Sequence, residues 1–409
     1  MALGLTAAYF AAEQGAQVSV LERMSEAGRK ILISGGTRCN VLPMSVDIQR
    51  DYVSEASASA LRRVFASWSL EDCRLWLESS NQISIPLATE PDTAKFFPAS
   101  NSAKQVRNQL LAACLRRGVD VRYNASVEDL SRRDTSGWDC HLEDGAVHAA
   151  DTLVLASGGQ SFPSLGTTGT GYRLVQQHGH TLMQPYPALT PLKGPHPGGA
   201  QLAGTSLYTA ELKCLPTGKA KRRAYQAERS AMLFTHRGYS GPSILDLSHH
   251  AVRALEQGSS LPVLQANWTG EERTVWDAQL ASAGGSLVPV VLRRHGLTQR
   301  LAAALCEELG LQERRAAELR KGERAALLDA LVAYPLQYNG HEGYPKAEVT
   351  GGGVPLAQIS CATMESTRMP GVYLCGELVD VFGRIGGFNF YWAWLSGRLA
   401  GIHAAQPHS

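Results

Sequence analysis

Apolar and polar positions follow two rhythms along this chain, and its first forty residues show both. Residues 2–13 are a run of small and apolar side chains closed by Gly15, which reads as a helix with a glycine at its C-cap. Val18, Val20 and Leu21 then read as a short strand ending on Glu22, and a glycine-rich loop runs on to Asn40. Between 57 and 80, Leu61, Val64, Trp68, Leu70, Cys73 and Trp76 recur near helical spacing, and residues 103–117 form a second amphipathic helix ending at Gly118. Residues 119–123 read as a strand continued by 125–130, and 139–150 as a short hairpin. Residues 151–156 read as a buried strand that runs straight into Ser157, Gly158 and Gly159.

From about 190 the texture changes. Pro, Gly and Thr punctuate short apolar segments up to about 248, as in an antiparallel β region. Residues 270–335 are helical in pattern and rich in Ala, Leu, Arg and Glu. Strand-and-glycine character returns near 344: Thr350 and three glycines, then 371–375 leading to Gly376 and Glu377, then Gly386, Gly387, Phe388 and Asn389 opening an apolar helix that ends near Gly401. Nucleotide-type elements at both ends around a differently textured middle predict a discontinuous domain with an insertion.

Composition narrows the class. At 409 residues the chain exceeds one compact core, so at least two domains are expected. With 44% hydrophobic and 19% charged residues and a net charge of +2, it gives no reason to expect nucleic acid or an anionic membrane as a main partner. The eight cysteines form no C-x-x-C pair and no zinc spacing, so no metal site is expected. The chain shows neither a signal peptide nor an apolar run of membrane length, which predicts reduced thiols and a cytoplasmic location.

The candidate chemistry gathers in residues 22–40. An acid at the end of a second βαβ strand, here Glu22, is where nucleotide-binding folds hold a ribose diol. Gly28, Gly35 and Gly36 lie among Arg29, Lys30 and Arg38, a pattern suited to a backbone approaching a pyrophosphate. Gly4 can serve only as the third glycine of a G-x-G-x-x-G turn. The strand and two glycines that normally precede it are missing, so the chain either stops short of its first strand or has none. Gly158 and Gly159 end a strand at the edge where open α/β sheets bind ligands, and Gly376, Glu377 and Asp380 follow another. The helix opening at Gly386, Gly387, Phe388 and Asn389 offers free N–H groups to an anion. Cys39 has no histidine neighbour in sequence and reads as packing. His236 and Tyr239, in the middle segment, are weak candidates for a proton donor. The basic run from Lys219 to Arg223 reads as a solvated hairpin tip.

In order along the chain, 28–40 (G-R-K-I-L-I-S-G-G-T-R-C-N), 97–100 (F-P-A-S), 156–159 with 166–172, 187–192, 234–242, 376–380, 386–389 and Trp392-Ala393-Trp394 resemble the BaiN-like flavoproteins, also called aminoacetone-oxidase-family FAD-binding enzymes. The resemblance implies an α/β fold: a Rossmann-like FAD-binding domain of the two-dinucleotide-binding type, interrupted by a β-barrel-like domain and a small helical one. On that basis 1–190 and 350–409 are the FAD-binding domain, 191–268 and 336–349 the β-barrel-like insertion, and 269–335 the helical part. It further implies that Val127 touches the adenine, that Asn40 donates to flavin or a loop carbonyl, and that Asp380 or Glu377 binds the ribityl chain. Where the family carries a third glycine this chain has Thr37, and Thr170 replaces an aspartate. The implied activity is transfer of hydride from NAD(P)H through FAD to a small, largely apolar molecule. The alternatives are an amine oxidase of the aminoacetone type, or a flavin-binding protein without turnover because of the missing strand. Substrate and oligomeric state are not legible.

Overall fold

The computed structural model describes residues 2–134, 136–217, 224–227 and 229–406. Two units partition the chain: one holds Met1–Tyr186 and Glu348–Ser409, the other Pro187–Ala347.

In the first unit, helix α1 (Ala2–Glu13) is apolar on all sides, and Leu3, Leu5, Tyr9 and Phe10 are buried, which makes it a central helix. Strand β1 (Ser19–Glu22) follows, and α2 (Ala103–Arg116) leads to β2 (Asp120–Tyr123), which pairs with β1 in parallel, Ser19 opposite Asp120 and Glu22 opposite Tyr123. A second parallel pair joins β3 (Leu153–Leu155) to β4 (Val372–Leu374). The last helix, α3 (Phe388–Ala404), buries Trp392, Trp394, Leu395 and Leu399 and packs along α1.

Two glycines allow that approach. At Gly397 a side chain would lie 3.2 Å from Thr6 Cβ, and at Gly401 it would run into the backbone of Ala7. Alanine is the better helix former by about 1 kcal/mol, but forcing two packed backbones apart costs about 1–3 kcal/mol. Gly401→Ala should therefore lower stability by about 1–2 kcal/mol, read as a lower urea midpoint at unchanged slope. An unchanged or higher midpoint would refute the close packing.

The parallel strands are less buried than expected. Of residues 151–156 only Leu153 is buried; Val154, Leu155 and Ala156 are partly open, as are Val18, Val20 and Leu21. The reason lies in the sheet: β1–β2 and β3–β4 are separate two-stranded pairs, while α1 packs against both β1 and β3. Among the described residues no strand pairs with the other edge of β1 or β3.

Elsewhere, the single helix expected over 57–80 divides into Ala58–Phe65 and Leu70–Glu78, because Ser69 starts a new helix by accepting from Asp72 N at 3.0 Å. An antiparallel sheet of Val127–Arg132, Trp138–Leu142 and Val147–Ala150 covers the expected strand and hairpin.

In the second unit the expected barrel gives way to two open antiparallel sheets. One runs in the order Ser206–Leu207, Met232–Thr235, Gly238–Ser240, Leu192–Lys193, Gly340–His341. The other runs Tyr225–Gln226, Glu211–Leu215, Val263–Asn267, Tyr334–Leu336. Strands of two to five residues leave each sheet with two end strands, so among the described residues neither closes on itself. Helices Arg273–Ser282, Val288–Arg294, Gln299–Glu308 and Lys321–Val332 complete this unit.

Candidate functional site

Glu22 ends β1 partly exposed, and its carboxylate accepts from Met24 N at 2.9 Å, which holds it at the strand end. Gly28 (φ +74°) turns the chain into the short helix Arg29–Ile33. Gly35 (φ +53°) and Gly36 (φ +64°) are left-handed, and so are Thr37 (φ +72°) and Cys39 (φ +62°). The loop thus places a β-branched side chain where glycine is the unstrained choice.

The three cations of this loop separate by function. Arg38 faces the strand region 87–98: it pairs with Glu90 at 2.9 Å, donates to Asn101 at 2.9 Å, and lies over the Phe97 ring at 4.0 Å. Lys30 is ion-paired to Glu377. Arg29 has no ion pair or hydrogen bond among the described residues, which leaves it the cation free for an anionic ligand.

Lys30 and Glu377 belong to a link across three motifs. The second oxygen of Glu377 accepts from Thr350 N at 3.2 Å. Buried Thr350 accepts in turn from Gln160 N at 2.7 Å and Ser161 N at 3.1 Å. A side chain on Gly159 would occupy the position of the Thr350 side chain. Residues 28–40, 157–161 and 376–380 are therefore held as one constellation. Glu348 retains surface open to solvent, yet enough protein surrounds it for burial to raise its carboxyl, with Lys30 and Lys95 pulling the other way.

Asp380 is 5% exposed and accepts from Glu55 N at 3.0 Å. Asn40, with its amide turned to satisfy both ends, donates to Leu42 O at 3.2 Å and accepts from Gly387 N at 3.1 Å. It therefore braces the start of α3, where Gly386 (φ +133°) and Gly387 (φ +90°) give the close approach that a side chain would block. Phe388 is buried, and Asn389 holds Gly383 by two 2.8 Å bonds, one to its N–H and one to its carbonyl. Gly376 (φ +64°) packs on Leu3, and its N–H donates to Ser396 at 3.1 Å. Gly4 approaches Ala156, and Val127 starts its strand partly exposed, opposite Leu142.

Some residues are better explained as structure. Cys39 is fully buried, and burial pushes its thiol up to about 12 against the hydrogen bond of Ser34, so it is not a nucleophile at neutral pH. Tyr239 is buried in the second unit and donates to Pro195 O, with burial holding its phenol well above the usual range. That removes it as a ready proton donor. His236 is exposed at the turn between Met232–Thr235 and Gly238–Ser240. Lys219 to Arg223 lie outside the described residues.

One residue had no signal in the sequence. Arg107, on the amphipathic helix α2, lies against Gly28, donates to Ala27 O at 3.4 Å and stands 3.9 Å from Glu26. Its buried Nε has no partner among the described residues. A surface cavity of about 690 Å³ lined by Phe10, Trp68, Trp76 and Arg398 contains none of the motif residues and is a separate feature.

Compared with known proteins, the chain matches over residues 2–403 the family described as the HI0933-like protein Rossmann domain. A relative from Escherichia coli K12, named ribosomal RNA dihydrouridine synthase, is 31% identical over 404 residues, covering 97% of this chain and 94% of that one. A relative from Clostridium scindens, named 3-dehydro-bile acid delta(4,6)-reductase, is 30% identical over 416 residues, covering 99% and 97%. Among solved structures, the 3-ketosteroid-delta4-(5alpha)-dehydrogenase of Rhodococcus jostii RHA1 aligns with 99% of this chain and 95% of its own at 15% identity and a TM-score of 0.46.

Proposed function

This chain belongs to the HI0933-like Rossmann-domain family of FAD-binding oxidoreductases, and on that premise we propose that it is a reductase of carbon–carbon double bonds conjugated with a carbonyl. The observation that carries this reading is a shared chemistry in two relatives that match nearly the whole chain. Dihydrouridine is uridine with its ring double bond saturated, a bond conjugated with a carbonyl; a 3-oxo delta(4,6) steroid presents a conjugated double bond of the same electronic type. Both reactions need a hydride at the far carbon and a proton at the near one.

The residues fit FAD. Gly28, Gly159 and Gly387 leave no room for side chains, Arg29 is a cation beside the loop with no ion pair or hydrogen bond among the described residues, and α3 starts with no side-chain cap beyond the Asn40 bond to Gly387 N. In this reading Glu22 would hold the adenosine ribose, Arg29 with the loop at Gly35 and Gly36 the diphosphate together with Gly158 and Gly159, and Asp380 the ribityl chain. When bound, FAD supplies the hydride, taken from NAD(P)H. The Phe388 N–H at the start of α3 would stabilise negative charge at that end of the site, while Asn40 holds the Gly387 N–H. Lys30 and Glu377 keep the glycine loops in register. Glu348, whose carboxyl burial raises while Lys30 and Lys95 oppose the shift, is the acid of this unit that we assign to proton delivery at the second carbon.

Anaerobic addition of NADPH should bleach the flavin absorbance, and a 4,6-dien-3-one steroid or a uridine-containing RNA should restore it. Peroxide formation on adding an amine, with no response to NADPH or NADH, would replace this reading by the oxidase alternative. Protein that does not hold FAD at all would remove both.

A further inference from the structure

The turn that opens α3 receives a cationic side chain from a distant strand of the same unit. The strand Lys95–Pro98 lies between Leu42–Pro43 and Leu87–Glu90, with Lys95 opposite Pro43 on one side and Glu90 on the other. Ala94, just ahead of it, is left-handed (φ +52°), and its carbonyl accepts from Met44 N at 3.0 Å. Lys95 therefore starts a strand held on both edges. Half-buried, it reaches Gly386: its Cε lies 3.5 Å from the point where a side chain on Gly386 would begin.

Structural reasons for a cation there are weak. The start of a helix carries partial positive charge and disfavours another, and α3 has no acid in its first turn to compensate. Glu90, across the strand pair, is engaged by Arg38 at 2.9 Å and by the Thr93 hydroxyl at 2.7 Å. Arg384, a second cation of this turn, has its own counter-charge in Asp51 at 2.8 Å. Lys95 and Lys30 both act on the Glu348 carboxyl, but Lys30 is ion-paired to Glu377. An ammonium, a helix start and an acid thus converge at one place, with positive charge in excess. Such a site suits an anion that exists only while the reaction runs.

We propose that Lys95 is a catalytic residue whose ammonium holds the carbonyl oxygen of the substrate and stabilises the negative charge that reaches it during reduction. This rests on the reductase reading above, with Glu348 as the acid. Hydride from the reduced cofactor forms a C–H bond at the far carbon, the carbon–carbon π bond breaks, and its electron pair moves to the carbonyl oxygen as an enolate. The carbonyl then re-forms as the near carbon takes the proton of Glu348, whose carboxylate regains one from water. Near carbon and oxygen are bonded to the same carbonyl carbon, so the cation and the acid that serve them must be close neighbours. The direct electrostatic interaction of Lys95 with Glu348 meets that requirement.

The test uses the flavin-loaded full chain and 4-nitrophenol, a planar probe whose phenolate mimics an enolate oxygen and whose ionisation is read in its own absorbance. A cation beside that oxygen favours the anion, so the bound phenol should ionise about one to three pH units below the free one. Lys95→Gln should abolish the lowering and Lys95→Arg should keep it. In reduction of a 4,6-dien-3-one steroid by NADPH, Lys95→Gln should lower kcat by about 10²-fold, the scale for one lost oxyanion donor. KM should change much less, flavin content should not change, and Lys95→Arg should recover most of the rate. Equal phenol ionisation in wild type and Lys95→Gln, or no binding to either, overturns the proposal. So does a flavin reduction potential that falls in Lys95→Gln while phenol ionisation stays the same, since the charge then serves the cofactor. Flavin loss in both Lys95 variants would make the residue structural. Steroid reduction undiminished in Lys95→Gln overturns the proposal and leaves the reductase reading standing. Lys95-dependent phenolate binding by a chain that reduces no conjugated double bond removes the reductase reading and leaves the cation site standing.

Discussion

Asp51→Ala should lower stability by about 3 kcal/mol, the scale for stripping one partner from a buried ion pair. The Asp51 side chain has no exposed surface. Its oxygens accept from Asp47 N at 2.7 Å, from Arg50 at 2.7 and 3.1 Å, and from Arg384 at 2.8 Å, while its carbonyl accepts from Arg384 N at 3.0 Å. Arg384 in turn lies over the Phe388 ring at 4.3 Å, so one carboxylate anchors the turn that delivers Gly386 and Gly387 to the start of α3. Burial acts to raise this carboxyl, but the hydrogen bonds from Arg50, Asp47 N–H and Arg384 outweigh it, and the net shift is downward. A carboxylate lowered in the folded state stabilises above its unfolded value, about 3.9, and that contribution disappears as pH falls through the folded value. The difference between wild type and Asp51→Ala in urea denaturation should thus be constant above about pH 5 and shrink below about pH 4. A difference that grows on acidification would show that the charge network is not its source. Because the anchored turn precedes α3, the variant should also hold FAD more weakly.

An added strand should have an effect of similar size. An apolar strand ended by two glycines and fused ahead of α1 should tighten FAD binding at least about tenfold, equivalent to 1.4 kcal/mol, and raise the denaturation midpoint. Val20 and Leu21 on β1, and Val154 and Leu155 on β3, are half-buried apolar side chains, and α1 packs against both strands. Covering them would contribute on the order of 1 kcal/mol each, and the added turn would aim N–H groups at the diphosphate beside the helix start. A polar segment of equal length is the control. Equal flavin affinity and equal midpoint for the two fusions would mean that β1 and β3 do not flank a strand position.

The motif residues were legible because their signals are local. Left-handed backbone at Gly28, Gly35, Gly158 and Gly387 favours a residue type that can be seen in the sequence, and the helical rhythm of 103–117 appears as Ala103–Arg116. What each charged side chain meets was not legible. Lys30 finds Glu377, 347 positions away, and Arg38 finds Glu90, so two of three similar-looking cations are engaged and Arg29 is left over. Arg107 was hidden because a helical arginine on an amphipathic pattern looks solvated until the Gly28 loop is laid over it. Asp51 was equally silent, and Tyr239 changed from candidate acid to core residue once its hydroxyl was seen to donate to Pro195.

From its residues alone, then, the chain declared an α/β nucleotide fold and a glycine loop after an acid-ended strand. Those features are written in backbone conformational preference and periodic burial, which act over a few residues. Folding assigned the partners: which cation stays free, which acid anchors a turn, how openly β1 and β3 lie, and that the inserted strands form two sheets rather than a barrel. Such pairings depend on distances between segments that lie from tens to hundreds of positions apart, and those distances exist only once the chain has folded.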